Sequence, residues 1–187
     1  MSNTATLNQS NLIDHRSFFT SHASQKKIGE HKLRFVGVID KNIEQLRILN
    51  NTVYPIKYKE KVYEQVLKRG PDFSSFAIFN DIAVGSYSCR IEKHNGQDSV
   101  YVMLLGVLPR YRKLGIGKQL MDQVFEVAKK HHVTKCHLHV QDTNEAAIKF
   151  YESLGFKTVE KLIDFYNNDG LDESQSKNCF LMEINLA

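Results

Sequence analysis

One stretch near the middle of the chain, VMLLGVLPRYRKLGIGK at 102–118, constrains the fold more than any other part. An apolar segment typical of a strand ends at Pro109, and a long amphipathic helix pattern begins around Gly115 and Gly117. Glycines at such a turn allow backbone N–H groups to point at one anion without side chains in the way. The helix N-terminus adds unpaired donors and a partial positive charge. The stretch therefore predicts a strand, a phosphate-binding turn and a helix.

Basic side chains flank this turn. Arg112 and Lys113 precede the glycines, and Lys118 follows them. The spacing is neither that of a Walker A loop nor that of a Rossmann fingerprint. The alternative is a turn whose glycines only allow the helix to pack closely on the strand. The basic pair, together with a second helix that begins at Asn144 after the next strand, favours a bound ligand.

The rest of the chain alternates strand and helix patterns around clear turn signals. Asn80-Asp81 and Asn95-Gly96 predict hairpin turns, Asp40 is the expected N-cap of the first helix, and Pro55 ends that helix. Strands are predicted at 32–38, 76–79, 82–92, 99–108, 135–140, 156–162 and 178–186, and further helices at about 59–69, 115–131 and 144–154. The order β-αα-βββ-α-β-α-ββ indicates a mixed α/β fold with one sheet layer covered by helices.

Composition limits the class of protein. The 187 residues correspond to one domain, and 42% apolar with 25% charged residues is ordinary for a globular chain. Residues 1–30 are rich in Ser, Thr, Asn, Gln and His, and we expect a flexible extension there before a domain at 31–187. A net charge of +4 is too small to argue for nucleic acid, so no direct nucleic-acid binding is expected.

Neither a membrane span nor a secretory signal is visible in the sequence, so we expect no membrane association. The cysteines at 89, 136 and 179 are far apart and lack CxxC spacing, which indicates neither a disulfide framework nor a zinc site. A reducing compartment follows, and we expect the cytoplasm, with the nucleus as a second location.

The motifs together resemble a known family. RKLGIG at 112–117 after an apolar strand, and NEAAIKFYESLGF at 144–156 after the next strand, resemble the acetyl-CoA-binding core of the GNAT acetyltransferases. The likeness covers about residues 33–186. YPIKY at 54–58, FNDIAVG at 79–85 and LHVQ at 138–141 further resemble N-terminal acetyltransferases of the NatE type, which act on Met followed by a bulky residue.

The resemblance implies the GNAT fold, which has a mixed, mostly antiparallel central sheet, a splayed pair of parallel strands and about four helices. It implies acetyl-CoA as cosubstrate, with the pantetheine between the splayed strands, the phosphates on the glycine turn, and Asn144 and Tyr151 at the thioester end. The residues that it assigns to acetyl-CoA are Leu105, Val107, Arg112, Lys113, Gly115, Gly117, Lys118, Asn144 and Tyr151.

The resemblance matches Tyr101 and His139 to the catalytic pair of the family, which deprotonates the amine acceptor, here through ordered water. Taken alone, His139 would be an interior histidine and Tyr101 a half-buried strand residue. His137 and His139 share a strand face and could form half of a metal site, but no third ligand is in view, so no metal is expected. No covalent intermediate is required, so no cysteine is assigned as a nucleophile.

The resemblance also assigns the binding of the acceptor peptide. Two positions depart from the family pattern, which has Phe where Tyr54 stands and Tyr where Phe165 stands. The residues implied to bind the peptide are Tyr54, Pro55, Ile56, Tyr58, Met103, Phe165 and Tyr166. An apolar pocket with a flexible methionine and aromatic walls suits an initiator methionine.

Three functions remain open from the sequence. The leading interpretation is an N-α-acetyltransferase that moves acetyl by direct transfer to the free α-amine of protein N-termini, Met followed by a bulky or hydrophobic residue. A second is a GNAT enzyme that acts on lysine side chains or small amines. A third is a non-catalytic acetyl-CoA-binding scaffold subunit. The resemblance implies association with the auxiliary and catalytic subunits of NatA at the ribosome.

Overall fold

The computed structural model describes residues 25–28, 31–166 and 176–186. Their strands form one sheet in the order β1-β2-β3-β4-β5-β6-β8-β7, in which β5 and β6 are parallel and all other neighbours antiparallel. The strands are β1 (Gln25–Ile28), β2 (His31–Gly37), β3 (Ser74–Phe79), β4 (Ile82–His94), β5 (Gln97–Val107), β6 (Lys135–Gln141), β7 (Lys157–Leu162) and β8 (Cys179–Asn185). The α-helices are α1 (Ile43–Val53), α2 (Glu60–Arg69), α3 (Ile116–Lys130) and α4 (Glu145–Ser153). The expected mixed sheet with one parallel pair and about four helices is confirmed.

The predicted hairpin turns join β3 to β4 and β4 to β5. Asn80 and Asp81 have φ values of 49° and 63°, and Asn95 and Gly96 have values of 50° and 79°. Two consecutive residues with positive φ are typical of the type I′ turn, whose twist matches that of the strands that it joins. These turns fix the register of the longest strands, on which the site is built.

The start of the first helix differs from the prediction. Asp40 is not its N-cap, because it lies inside a short 3-10 turn, Asp40–Asn42, that precedes α1. Asn42 stabilises this entry instead. Its Oδ1 accepts a hydrogen bond from the backbone N–H of Ile39 at 2.8 Å, and its side-chain amide donates to the Gly37 carbonyl at 3.0 Å.

Two apolar cores lie on opposite faces of the sheet. The core on one face is formed by α1 and α2 on β2, β3 and β4, around Leu46, Tyr63 and Phe76. The core on the other face contains α3 and the end of α4, around Leu120 and Leu138. Each face of the sheet therefore carries its own helices.

All three cysteines are buried free thiols. Burial raises the pKa of Cys89 to about 12 and that of Cys179 to about 11, and it also raises the pKa of Cys136. These thiols therefore stay protonated near neutral pH, which is the behaviour of small buried hydrophobic residues rather than of nucleophiles.

The strand Gln25–Ile28 pairs antiparallel with β2, an element that the sequence did not suggest. The other residues of 1–30 lie outside the described part of the chain, so the flexible extension stays a prediction there. Within the described residues, no helix combines the length and the apolar character that a membrane crossing requires.

Candidate active site

The parallel strands β5 and β6 separate soon after they pair. Their register covers Val100 with Cys136, Tyr101 with His137, and Val102 with Leu138. The separation coincides with a β-bulge: opposite β4, Cys89 pairs with Val102 and Ser88 pairs with Leu104, so Met103 is an extra residue on β5. A bulge bends its strand. Beyond this point β5 follows β4 and β6 follows β8, which leaves a wedge between them.

A cavity of about 370 Å³ occupies this wedge. It is lined by β5 from Tyr101 to Leu105, by β6 from Leu138 to Gln141, by the segment between α1 and α2, by α4 and by the segment after β7. The residues assigned from the sequence that line it are Tyr54, Pro55, Ile56, Tyr58, Tyr101, Met103, Leu105, His139, Asn144, Tyr151, Phe165 and Tyr166. The structure thus brings the expected catalytic pair, the expected peptide residues and the thioester end of the expected acetyl-CoA site to one place.

The glycine turn follows β5 at the far end of that strand, outside the lining of the cavity. Gly115 caps α3 in the left-handed conformation with φ of 75°, and a Cβ built there meets nothing within 4 Å. The N–H of Gln119 bonds to the Gly115 carbonyl at 3.2 Å. Since the N–H groups that begin a helix precede the first such bond, they are available to an anion.

The remaining residues of the turn have mixed roles. A Cβ on Gly117 would lie 3.3 Å from Cζ of Phe150, so this glycine allows α3 to approach α4, which is a close contact of helix with helix rather than of helix with strand. The Nε of Arg112 donates to the Val107 carbonyl at 3.0 Å and ties the turn to β5. Lys113 and Lys118 are exposed, and Nζ of Lys118 lies 3.4 Å from Oδ1 of Asp122. Open space above Gly115, free helix donors and three cations fit a phosphate group.

Asn144 and Tyr151 bring α4 to the wedge. Asn144 caps α4, since its Oδ1 accepts a hydrogen bond from the backbone N–H of Ala147 at 3.2 Å. Tyr151 is 8% exposed, and burial raises the pKa of its phenol well above the usual value. The phenol therefore stays protonated and can donate a hydrogen bond into the cavity.

Tyr101 and His139 are in direct contact across β5 and β6. The Tyr101 hydroxyl lies 3.2 Å from Nδ1 of His139. Burial, reinforced by the nearby His137 and His94, lowers the pKa of His139 to about 4. The imidazole is therefore neutral near pH 7. It can accept a hydrogen bond from the phenol or from a water molecule at the same position.

The expected peptide residues form aromatic walls on the face that carries α1 and α2. The rings of Tyr54 and Tyr58 pack edge to face with centroids 5.4 Å apart, and those of Phe165 and Tyr166 do so with centroids 5.0 Å apart. The hydroxyl of Tyr54 is buried beside the backbone of Leu105 and Gly106 without a well-formed hydrogen bond among the described residues. The hydroxyl that Tyr54 adds relative to the family pattern thus lies inside the wall.

Sequence reasoning missed the polar residues around Tyr101. His137, considered there as half of a metal site, is buried with Nδ1 at 2.7 Å from Ser99 Oγ and Nε2 at 3.2 Å from Glu92 Oε1. Arg90 lies over the Tyr101 ring at 4.7 Å. No group of residues in the described chain has the geometry of a metal site. Strand alternation from the Asn95-Gly96 turn puts Arg90 and Glu92 on the same face as Tyr101, but local spacing does not show the pairing of β5 with β6 that brings His137 there.

Two curated relatives match over most of the domain. The chain is 40% identical over 126 residues to N-alpha-acetyltransferase 50 of Danio rerio, covering 67% of this chain and 74% of that protein. It is also 40% identical over 126 residues to the N-acetyltransferase san of Drosophila melanogaster, covering 67% of this chain and 68% of that protein. Residues 43–156 match the family described as Acetyltransferase (GNAT) family.

Solved structures give the same result. Arabidopsis thaliana Naa50 in complex with the bisubstrate analogue CoA-Ac-MVNAL is 38% identical, with a TM-score of 0.71 over 81% of this chain and 97% of that chain. A chain of the NatC complex bound to Gag peptide and CoA has a TM-score of 0.71 over 83% and 99% of the two chains, and at 22% identity it shows the fold alone.

These findings place the chain in a family. It belongs to the GNAT acetyltransferase family. Within that family it is similar to N-alpha-acetyltransferase 50 and to the N-acetyltransferase san, so the resemblance inferred from the sequence is confirmed.

Proposed function

We propose that this N-terminal acetyltransferase moves acetyl from acetyl-CoA to the α-amine of proteins that begin with Met followed by a bulky or hydrophobic residue. The observation that carries the proposal is the wedge itself. It has α4 on one side and aromatic walls on the other, with Tyr101 and His139 in hydrogen-bond contact between them. An acyl donor and an amine entering from opposite faces would meet at this pair.

Acetyl-CoA supplies an acetyl group activated as a thioester. The residues of this chain that fit it are the helix donors after Gly115 with the cations of the turn for phosphates, the backbone of Leu105 in the wedge, and Tyr151 at the thioester end. Val107 lies outside the lining of the cavity, and its carbonyl accepts a hydrogen bond from Arg112. A protonated phenol at Tyr151 can donate to the departing sulfur. The donor therefore needs no metal and no protein nucleophile.

The acceptor needs only modest help to lose its proton. A free α-amine has a pKa of about 8, so a fraction of it is neutral near pH 7. A neutral His139 is a weak base, but it accepts a hydrogen bond at all pH values above about 4. We assign Tyr101 and His139 jointly to orienting the amine and a water molecule that carries its proton away.

The aromatic walls and Met103 favour a methionine side chain. Methionine is flexible and makes favourable contacts between sulfur and aromatic rings, and Tyr54, Tyr58 and Phe165 provide such rings. The analogue bound by Arabidopsis Naa50 carries a peptide that begins with Met, which supports the same preference here.

Two other functions remain as alternatives. A lysine or small-amine acetyltransferase would need a proton removed from an amine of pKa about 10.4, which His139 assists poorly because its own pKa is lowered to about 4. A non-catalytic scaffold would not need the catalytic pair, which is intact and in contact. Peptides are therefore the proposed acceptors. We further propose action in the cytoplasm and association with the NatA subunits at the ribosome.

The test is a reaction of the full chain with acetyl-CoA and a peptide that begins Met-Leu and contains one internal lysine. Mass spectrometry of fragments locates the acetyl group. Acetyl on the α-amine is the expected result, and a peptide beginning Met-Asp is the matched control with a lower rate. Acetyl only on the lysine would support the second function. No product with acetyl-CoA bound would support the scaffold.

A further inference from the structure

The ring of Tyr101 is confined by residues from both neighbouring strands. Tyr101 pairs with Arg90 on β4 and with His137 on β6. The Arg90 guanidinium carbon lies 4.7 Å from the centre of the Tyr101 ring. The His137 ring is stacked on it with centroids 5.0 Å apart and planes 28° apart. Because these two residues come from opposite sides, they restrict rotation of the phenol within the sheet face.

Glu92 joins the two flanking residues. Its Oε2 accepts a hydrogen bond from Nε of Arg90, and its Oε1 pairs with Nε2 of His137 at 3.2 Å. A carboxylate only accepts hydrogen bonds, so Nε2 of His137 carries the hydrogen and Nδ1 accepts from the Ser99 hydroxyl at 2.7 Å. One carboxylate therefore fixes the orientation of both groups against Tyr101.

We infer that Glu92 is a positioning residue for the reaction and keeps the Tyr101 phenol within reach of His139. It touches neither the amine nor the thioester and acts through Arg90 and His137. The phenol lies 3.2 Å from Nδ1 of His139, a contact that a small rotation of the ring would break. Displacement of a catalytic group by about 1 Å can cost a large factor in rate. The inference rests on the proposed role of Tyr101.

A purely structural role for Glu92 predicts something different. Its side chain is 30% exposed, and ion pairs that are this accessible contribute little to the stability of a fold. Loss of the carboxylate should therefore leave the melting temperature nearly unchanged while it lowers kcat. A stability role would show the opposite pattern.

The experiment compares four enzymes in the acetyl-CoA and Met-Leu peptide assay: wild type, Glu92→Gln, Tyr101→Phe and the double variant. Glutamine keeps the size of the side chain but presents an NH2 donor, instead of an oxygen acceptor, to either Arg90 or His137. We expect Glu92→Gln to lower kcat about tenfold with the KM for acetyl-CoA nearly unchanged. In the Tyr101→Phe background, which lacks the hydroxyl to be positioned, the same substitution should have no further effect.

The matched control is Asp98→Asn, which removes an exposed carboxylate paired with Lys93 on the same hairpin and contacts none of these groups. It should match wild type. Wild-type kcat in Glu92→Gln, or an equal fall in both backgrounds, would overturn the inference. Full activity of Tyr101→Phe would instead overturn the proposed role of Tyr101, so the two failures are distinguishable.

A second measurement covers variants that are too slow or too unstable for the rate comparison. Crystal structures of Glu92→Gln and of Ser99→Ala, which releases His137 by a different route, show the Tyr101 ring directly. A longer distance between the Tyr101 hydroxyl and Nδ1 of His139 is expected in both. An unchanged ring in both would overturn the inference.

Discussion

Phe165 lies flat against His139, with ring centroids 4.3 Å apart and planes 21° apart. The residue that replaces the tyrosine of the family pattern is therefore in contact with the proposed base as well as with the peptide entrance. Phe165 is 42% exposed, so it covers the imidazole while one face stays in contact with solvent. This contact contributes to the burial that keeps His139 neutral.

Removal of this cover should change the titration of His139. We expect Phe165→Ala to raise the pKa of His139 from about 4 toward 6.5, because the imidazole gains access to water. Loss of the stacked pair should cost about 1 kcal/mol of stability. NMR titration of the imidazole measures the pKa. Phe165→Tyr keeps the stack and serves as control, and an unchanged pKa in Phe165→Ala would show that the stack does not shield the base.

The rate should follow the α-amine rather than a histidine. Because the pKa of His139 is lowered to about 4, this residue is already neutral at pH 5.5, and its protonation removes no activity there. We expect kcat/KM to rise with pH toward the pKa of the α-amine, near about 8, with no separate inflection at 6.5. A pH profile of the wild type tests this. An inflection near 6.5 that disappears in His139→Gln would contradict it.

The same lowered pKa predicts acid sensitivity of the fold. Between pH 6.5 and about 4 the unfolded His139 binds a proton that the folded one does not. The free energy of unfolding should therefore fall as the pH drops through this window. Below about pH 4, His139 should cause no further fall. Urea denaturation at pH 7 and pH 5 measures the change. His139→Gln should show a smaller change, and an equal one would assign the effect to other groups.

The two glycines of the turn should respond differently to substitution. Gly115→Ala places a side chain at φ of 75° and should cost about 1–2 kcal/mol, although its Cβ meets no other atom within 4 Å. Gly115→Asn, which tolerates this conformation better, should cost less.

Gly117→Glu should lower the affinity for acetyl-CoA at least tenfold, since it adds an anion at the start of α3. Calorimetry measures binding, and unchanged affinity would exclude the turn as the phosphate site.

Tyr54→Phe should leave the fold as stable or stabilise it by about 1 kcal/mol. The hydroxyl that it removes is buried without a well-formed hydrogen bond, so its loss ends a desolvation cost. Tyr87→Phe is the matched control, since the Tyr87 hydroxyl donates to the Asp72 carbonyl at 3.3 Å and its loss should destabilise. Urea denaturation compares the two. Destabilisation by Tyr54→Phe equal to that of Tyr87→Phe would indicate an unrecognised partner.

Features fixed by local sequence were predictable. The hairpin at Asn95-Gly96 and the start of α3 at the glycine turn were predicted correctly, because each depends on backbone conformations that few residues adopt. The prediction of Asp40 as the N-cap of α1 was wrong, because a 3-10 turn over Asp40–Asn42 precedes the helix and the local pattern does not reveal that turn. The strand at 25–28 depends on pairing with β2 rather than on its own pattern.

Residues of the site that belong to a family motif could be predicted from the sequence. Residues that reach the site only through the register of neighbouring strands could not. Tyr101 and His139 followed from the family likeness, and the structure brings them into contact. The contact of Glu92 with His137 depends on the register among β4, β5 and β6, which come together from distant parts of the sequence. A shift of one residue in the pairing of β5 with β6 would change which side chains are neighbours, so spacing along the sequence does not reveal them.

The wedge between β5 and β6 is lined by α4, which packs on the face that carries α3, and by the aromatic walls on the opposite face. Neither reactant has to leave before the other can enter. The steady-state kinetics should then be sequential, with intersecting double-reciprocal lines. Such an enzyme is also inhibited most strongly by a single molecule that extends from one face to the other, since each half contributes its binding energy without a second loss of translational freedom.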